Sequence, residues 1–594
     1  MADTYGSNLA DTLYGGEGGV RVFGWLQSNP KGDQGPADDH DRIRGGAGKD
    51  TLSGGAGDDN IGGYAPSDSN GDFAASGSDL IYGGAGNDYL IGGAIAENDR
   101  DSLYGGSGDD TAFGAYGHDL IIGGAGHDQL IGDDGEPGLG AGNDTILGGL
   151  GDDQIFGDDG NDSLLGEDGN DQIVTDNGDD FADGGLGNDD LWGFAGNDRL
   201  IGGKGNDNLI GDSDGGGTDY GVGKDTLFGG DGQDSLWGDR GADLLYGGKG
   251  NDRLFADFSY ASEHPGIDRL YGGAGHDTMS SLGGNDLLYG DAGNDSLTAD
   301  TGAVKLYGGA GHDRLTGYAG TEGTLFSGGD GNDTISADDG ITALGGKGND
   351  HIEVVVHDRS LNSRVDGGAG IDGMRIFSMW MTEDLTFKLT ANADWTTFQG
   401  SLKYRNIERI YLISGEGDDH LTGGQYADQF ESGAGNDSLF GGKGNDTLQG
   451  EGGDDVLIGG KGNDQLGGGL GHDTLTGGAG ADTFELYINH AGDDSDQIID
   501  FSHAEDTIRL FSNEFTLLHD GGEGISAADY LAQAFRLGTV AQDVSDRFIY
   551  NAATGLLMYD VDGNGSGQAL LMAQFAAGTV IAADDFIFAT YLGS

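Results

Sequence analysis

The sequence predicts an all-β chain wound into a coil of short stacked strands, and three observations lead there. Glycine accounts for 126 of 594 residues, far above the usual ~7%. Aspartate recurs every nine residues over long stretches, and an apolar residue stands two places after each of these aspartates. A glycine-rich acidic chain without such order would stay unfolded. Here 35% of the residues are hydrophobic, and their regular spacing makes the repeat the architecture.

The nine-residue step is clearest from Gly148, where the chain reads GGLGDDQIF, GDDGNDSLL, GEDGNDQIV, TDNGDDFAD, GGLGNDDLW, GFAGNDRLI and GGKGNDNLI. Its sixth position holds Asp153, Asp162, Asp171, Asp180, Asp189, Asp198 and Asp207. A second run gives Asp419, Asp428, Asp437, Asp446, Asp455, Asp464, Asp473 and Asp482. Less regular copies place Asp50, Asp59, Asp88, Asp110, Asp119, Asp128 and Asp144 there. Further ones place Asp225, Asp234, Asp243, Asp252, Asp268, Asp277, Asp286, Asp295, Asp313, Asp333, Asp350 and Asp372. Each copy divides into a six-residue loop and a three-residue strand. Glycine at positions one, two and four permits positive φ. Position eight, as in Ile155, Leu164, Leu200, Leu439 and Leu466, is the core position, and its neighbours point the other way. One copy makes half a coil, so two copies make a turn with one strand in each of two sheets.

The loops account for the charge. Lys plus Arg is 28 and Asp plus Glu is 103, a net −75, which excludes nucleic acid as a partner and would make a compact fold repel itself. Stacked loops place carboxylates and glycine carbonyls in lines along both edges, an all-oxygen setting that suits Ca²⁺. One ion per loop pair gives about 30 Ca²⁺, which offsets most of the charge. There is no cysteine, hence no disulfide framework or cysteine–zinc site. No stretch is long and apolar enough for a transmembrane segment, and the opening MADTYGSNLADTLYGG does not read as a cleaved leader.

GGAGNDYLI at Gly83, GGKGNDRLF at Gly247, GGAGHDRLT at Gly308 and GGKGNDTLQ at Gly441 match the GGxGxDxUx motif of the repeats-in-toxin (RTX) family, which the chain resembles over nearly its whole length. The resemblance implies a right-handed parallel β-roll, a β-solenoid with Ca²⁺ in the turns. It also implies secretion from a Gram-negative bacterium by the type I secretion machinery, directed by an uncleaved C-terminal signal.

The expected organisation is an irregular roll with inserts over 1–138, a roll over 139–350, a non-repeat β-solenoid block over 351–413, a regular roll over 414–485, and a cap with the secretion signal over 486–594. Inserts fall at about 20–42, 62–76, 93–100, 132–138, 212–220 and 256–265. They hold every proline (Pro30, Pro36, Pro66, Pro137, Pro265), a residue that cannot donate to a strand ladder. Block 351–413 has seven basic and eight acidic residues, Trp380, Trp395 and three methionines; it reads as a wider segment without calcium or as a partner's contact site. From Gly477 the chain resembles the C-terminal domain of serralysin-type proteases. It should cap the roll with antiparallel strands and a short helix over 526–537 with Ser526 as N-cap, and Asp584–Phe588 looks like the secretion signal.

Catalytic motifs are weak. No histidine is followed by glutamate, so HExxH is absent. His118, His127, His276, His312 and His472 stand at loop position five, where asparagine is common, and read as loop substitutions. Gly211-Asp212-Ser213-Asp214-Gly215 fits GxSxG but lacks a strand-then-helix setting. Asp560, Asp562 and Asn564 echo an EF-hand, but its twelfth position is Leu571 rather than glutamate. With repeats starting by about residue 6, no catalytic domain precedes the roll, and the expectation is no enzyme. Position nine points outward and is often aromatic, with Tyr271, Tyr289 and Tyr307 spaced to stack. The sequence thus points to a secreted, extracellular or cell-surface calcium-binding protein that self-assembles into a surface layer, matrix or fibre. The alternative is an adhesin engaging glycan or a cell surface through the inserts or block 351–413.

Overall fold

The computed structural model describes residues 3–6, 12–14, 21–23, 40–46, 48–63, 77–93, 100–133, 142–212, 223–257, 266–317, 323–338, 340–356, 362–390, 394–487, 495–511, 527–560 and 569–589. They fall into two compact units, Met1–Thr316 and Gly317–Ser594. All five prolines, Ser526 and Ser213–Gly215 lie outside the described residues.

In the first unit, successive strands alternate between two parallel sheets. Ser163–Asp168 pairs with Phe181–Leu186 and this with Arg199–Lys204 in one sheet. Gln154–Phe156 pairs with Gln172–Asn177 and this with Asp190–Ala195 in the other. This is the expected parallel β-roll. Position eight fills its interior: Ile155, Leu164, Ile173, Leu191, Leu200 and Leu209 are fully buried.

Two local expectations are corrected. Many strands have six residues rather than three, as in Thr145–Leu150. Ladder pairing runs through positions seven to nine, skips position one, and resumes at two and three (Ile122↔Leu147, then Gly124↔Gly149). Because consecutive loops superpose, their backbone pairs as well. Positive φ belongs to positions two and four, as at Gly149 (120°) and Gly151 (121°). Gly148, at position one, does not adopt it; a Cβ there would run into the Asp153 carboxylate and the Gly166 carbonyl. Glycine at position one is therefore a requirement of space.

The two edges of this unit differ. Loops leaving the first sheet for the second are called outgoing here, and the reverse are return loops. From Gly54 the outgoing loops keep the six-residue form through Asp313. The segments 64–76, 94–99, 134–141, 213–222 and 258–265 all follow a second-sheet strand and precede a first-sheet strand, so they interrupt return loops only.

In the second unit, Leu325–Asp330, Thr342–Lys347, Ser363–Ala369 and Leu402–Arg405 form one sheet, closed by the antiparallel pair Thr396–Phe398 with Leu402–Tyr404. Opposite it, a parallel ladder runs unbroken from Thr334–Ala337 through Gly373–Phe377 and Arg409–Ile413 to Thr483–Leu486, Thr507–Phe511 and Phe586–Ala589. Within 351–413 the first of these sheets ends and a third begins at Thr386–Lys388, which pairs with His420–Thr422. Large side chains fill the changeover: Phe387 stacks on Tyr404 and meets Phe398 edge-on, and the Tyr404 hydroxyl donates to the Lys388 carbonyl at 2.6 Å.

At the C-terminus, Phe548–Asn551, Leu556–Tyr559 and Leu570–Phe575 are antiparallel, as expected of a cap. The last strand, Phe586–Ala589, instead adds in parallel to Thr507–Phe511. The helix spans only Ala527–Ala534, because Phe535–Leu537 turns into a strand.

Candidate functional site

Every position-six aspartate singled out from the sequence is buried, with at most 3% of its surface exposed. The reason is a hydrogen-bonded ladder along each edge. The Asp153 N–H donates to Asp171 Oδ1 at 2.8 Å, the Asp171 N–H to Asp189 Oδ1 at 2.8 Å, and the Asp189 N–H to Asp207 Oδ1 at 2.9 Å. Asp144, Asp162, Asp180 and Asp198 do the same on the opposite edge. In the second unit, Asp428, Asp446, Asp464 and Asp482 form one such line, and Asp419, Asp437, Asp455 and Asp473 the other.

Position five builds a second ladder of opposite sense. The Asn170 N–H donates to Asp152 Oδ1 at 2.8 Å and the Asn188 N–H to Asn170 Oδ1 at 2.9 Å. Adjacent side chains therefore reach in opposite directions along the coil. The loop histidines join this second ladder: Nδ1 of His118, His127 and His276 accepts the N–H of Asn143, Asp152 and Asn294. They act as asparagine substitutes, as the sequence suggested.

Only one oxygen of each position-six carboxylate is used in this way. The other, Oδ2 in Asp128, Asp144, Asp153, Asp162, Asp171 and Asp207 and in Asp350, Asp446, Asp455 and Asp464, is buried with no hydrogen-bond partner among the described residues. A buried carboxylate oxygen without a partner is costly. Burial pushes Asp128 up to about 6, Asp153, Asp171 and Asp207 up to about 7, and Asp162 up to about 9, with neighbouring carboxylates adding to the rise. Oδ2 of Asp153 and the Gly166 carbonyl both face the space over Gly148, and the carbonyls of Gly124 and Gly126 face Gly149 and Gly151. An orphaned carboxylate oxygen among carbonyl oxygens fits a hard divalent cation and nothing softer.

The sequence missed several members of the ladder. Asp79 accepts from the Asp50 N–H and Asp101 from the Asp79 N–H, across offsets of 29 and 22 residues. Glu408 Oε2 accepts from the Asp372 N–H at 2.9 Å, and Asp506 from the Asp482 N–H at 2.9 Å. The signal that survives at Asp79 and Asp101 is aspartate two places before an apolar residue, even where the glycines are gone. The carboxylates also stop in places. Val304 in the first unit, and Thr324, Ile341 and Ser363 in the second, take the ladder position and are buried.

Outside the loops, Phe228, Tyr246, Tyr271, Tyr289 and Tyr307 form one continuous stack with ring centroids 5.0, 5.0, 4.9 and 4.8 Å apart. In the second unit, a groove of about 390 Å³ is lined by Asn349, His351, Arg409, Tyr411 and Gln429 together with apolar residues such as Met374. No described helix is long and apolar enough to cross a membrane.

No curated protein matches the chain. The family model described as RTX calcium-binding nonapeptide repeat (4 copies) matches residues 5–27, 37–65, 73–94, 96–136, 140–173, 174–209, 219–254, 265–297, 289–321, 325–341, 413–448 and 449–484. These matches cover more than half of the sequence and coincide with the loops whose carboxylates are buried. The chain is therefore a calcium-binding β-roll protein and belongs to the RTX calcium-binding nonapeptide repeat family.

Proposed function

We propose that this is a secreted structural protein that folds on Ca²⁺ outside the cell and then self-assembles into a layer, matrix or fibre. The observation that carries the calcium part is the column of buried carboxylate oxygens, such as Oδ2 of Asp153, Asp171 and Asp207, without hydrogen-bond partners among the described residues. The ligands are the position-six aspartates named above, from Asp50 to Asp482, each through its Oδ2, with loop carbonyls beside them. When bound, Ca²⁺ supplies positive charge and six to eight positions for oxygen ligands. Without it, aspartates of neighbouring coils repel one another inside a poorly hydrated edge, and glycine-rich loops carry a high ordering entropy. Such a chain stays unfolded where calcium is scarce, which suits passage through the type I secretion machinery.

The assembly part rests on charge and on the outer face. A net −75 keeps two copies apart until cations neutralise the loops. The five-ring stack then offers a flat aromatic strip to a second copy of this chain. Light scattering and electron microscopy in several millimolar Ca²⁺ test this. Ordered sheets or filaments are expected, and replacing Tyr271, Tyr289 and Tyr307 by Ser should weaken them while the roll stays folded. A dispersed monomer at high concentration would refute the assembly reading. The groove around Arg409 and Tyr411, which mixes polar with apolar side chains, favours a second reading, an adhesin or binding module for a glycan. Saturable binding of a soluble oligosaccharide by a monomer, lost in Arg409→Ala, would support it.

A further inference from the structure

Several return loops of the first unit carry an aspartate where the ordinary repeat has glycine at position two, and three of these residues are set apart: Asp133, Asp212 and Asp257. Elsewhere an acidic residue at this position usually adopts positive φ and stays at least partly exposed, as do Asp158 (68°), Glu167 (75°), Asp176 (72°) and Asp291 (68°). Asp133, Asp212 and Asp257 do not adopt positive φ and are only 5%, 2% and 4% exposed. The loop's own position-four glycine reaches across to two of them. The Gly142 N–H donates to Asp133 Oδ2 at 3.2 Å and the Gly223 N–H to Asp212 Oδ2 at 3.1 Å. This bond ties together the two ends of an extended loop. It leaves Oδ1 of Asp133 and of Asp212 buried with no hydrogen-bond partner among the described residues.

Asp257 joins the position-six carboxylates. Oxygens of Asp257, Asp268 and Asp286 lie within 4.8 Å of one another, and all three residues are buried. Oδ2 of Asp268 has no hydrogen-bond partner among the described residues, and Asp286 Oδ2 accepts from the Ser281 hydroxyl at 2.5 Å. Asp133 stands close enough to Asp144 and Asp162, and Asp212 to Asp225 and Asp243, for their charges to repel.

We propose that Asp133, Asp212 and Asp257 convert these three return loops into three-carboxylate Ca²⁺ sites that fill before the rest of the roll and fasten the bases of the extended loops. The inference rests on the reading of the roll as a calcium-binding fold. Affinity of oxygen-lined calcium sites rises with the number of charged ligands.

The test is calcium bound to the full chain, measured by equilibrium dialysis across buffered free Ca²⁺. The wild type should hold three ions at free Ca²⁺ about tenfold below that which half-fills the remaining sites. Asp133→Asn, Asp212→Asn and Asp257→Asn together keep a hydrogen-bond acceptor at each loop but remove the charge. That variant should lose the tight class and keep the bulk class, with unchanged circular dichroism in saturating Ca²⁺. Asp158→Asn with Asp176→Asn should leave the tight class intact. An unchanged isotherm in the triple variant, or a single binding class in the wild type, overturns the proposal. If the triple variant does not fold, the wild-type isotherm and Asp257→Asn alone decide, the latter losing one tight ion. Absence of any calcium binding by the wild type would instead refute the calcium reading itself.

Discussion

The outgoing and return edges of the first unit are built from the same repeat and yet differ. From Gly54 to Asp313 the outgoing edge keeps six-residue loops with an aspartate in every one. The return edge accepts added segments, and because each lengthens its coil, the aspartate ladders of both edges step by 29, 22, 25, 27 and 25 residues where the regular step is 18. The return edge finally exchanges aspartate for Val304, fully buried in the same register. The roll therefore does not depend on strict loop length. It depends on the aspartate N–H and carboxylate meeting those of the next coil, and on the apolar residue two places later. One edge acts as an uninterrupted spine, which leaves the other free to vary.

The largest effect that would sharpen this contrast comes from filling position one of the outgoing edge. Gly148→Ala puts a methyl against the Asp153 carboxylate and the Gly166 carbonyl. It should cost on the order of 2–3 kcal/mol and raise the calcium midpoint in a thermal melt. On the return edge position one already holds Thr175, whose hydroxyl donates to the Gly193 carbonyl at 2.7 Å. Thr175→Ala should cost only about 1 kcal/mol. Equal losses at the two positions would remove the distinction.

Next in size are changes of carboxylate. Asp153→Asn should lower the melting temperature in saturating Ca²⁺, because the ion loses a charged ligand. Val304→Asp should do the reverse, destabilising by about 1–3 kcal/mol as an unpaired buried group at limiting Ca²⁺ and recovering in saturating Ca²⁺. A Val304→Asp protein equally impaired in both conditions would show that the return edge cannot accept an ion there.

Proton uptake has an intermediate effect with a definite sign. Asp128, Asp153, Asp171, Asp207 and Asp162 titrate at about 6, 7, 7, 7 and 9 in the roll, against an ordinary 3.8. The calcium-free roll thus binds more protons than the unfolded chain between pH 4 and 9. Its stability from this source is complete below about pH 4 and is lost as pH rises through those values. In chelator, β structure measured by circular dichroism should be greater at pH 5 than at pH 8. In Ca²⁺ the order reverses, because a protonated carboxylate does not bind the ion. Equal β content at both pH values in chelator would contradict the shifted carboxylates.

The smallest effect is on the outer face. Tyr289→Ser interrupts two stacked pairs and should cost about 1–2 kcal/mol without changing the calcium midpoint. A shifted midpoint would tie the aromatic strip to the loops.

Much of this was legible in the sequence, for physical reasons that also mark where reading stopped. Leu164 and Leu200 announce the core because an apolar residue at a fixed phase has only one side to face. Asp153 and Asp171 announce the ladder because nothing interrupts their step. Asp79 and Asp101 escaped because added residues reset the count before them, although the backbone register did not change. Spacing ties Tyr271, Tyr289 and Tyr307 together, but the segment between Tyr246 and Tyr271 hides that those two are neighbours. The change of sheet at Thr386–Lys388 had no periodic signal, since it is made by side-chain volume at Phe387, Phe398 and Tyr404. Asp133, Asp212 and Asp257 look like any loop aspartate until their backbone turns them inward.

The central claim is that the buried aspartate columns need calcium to fold. Far-UV circular dichroism of the full chain, first in chelator at pH 7.5 and then with Ca²⁺ added, tests it most directly. The account predicts an unfolded spectrum that converts cooperatively to β structure at free Ca²⁺ in the ~0.1–1 mM range. A full β spectrum in chelator that Ca²⁺ leaves unchanged would contradict it.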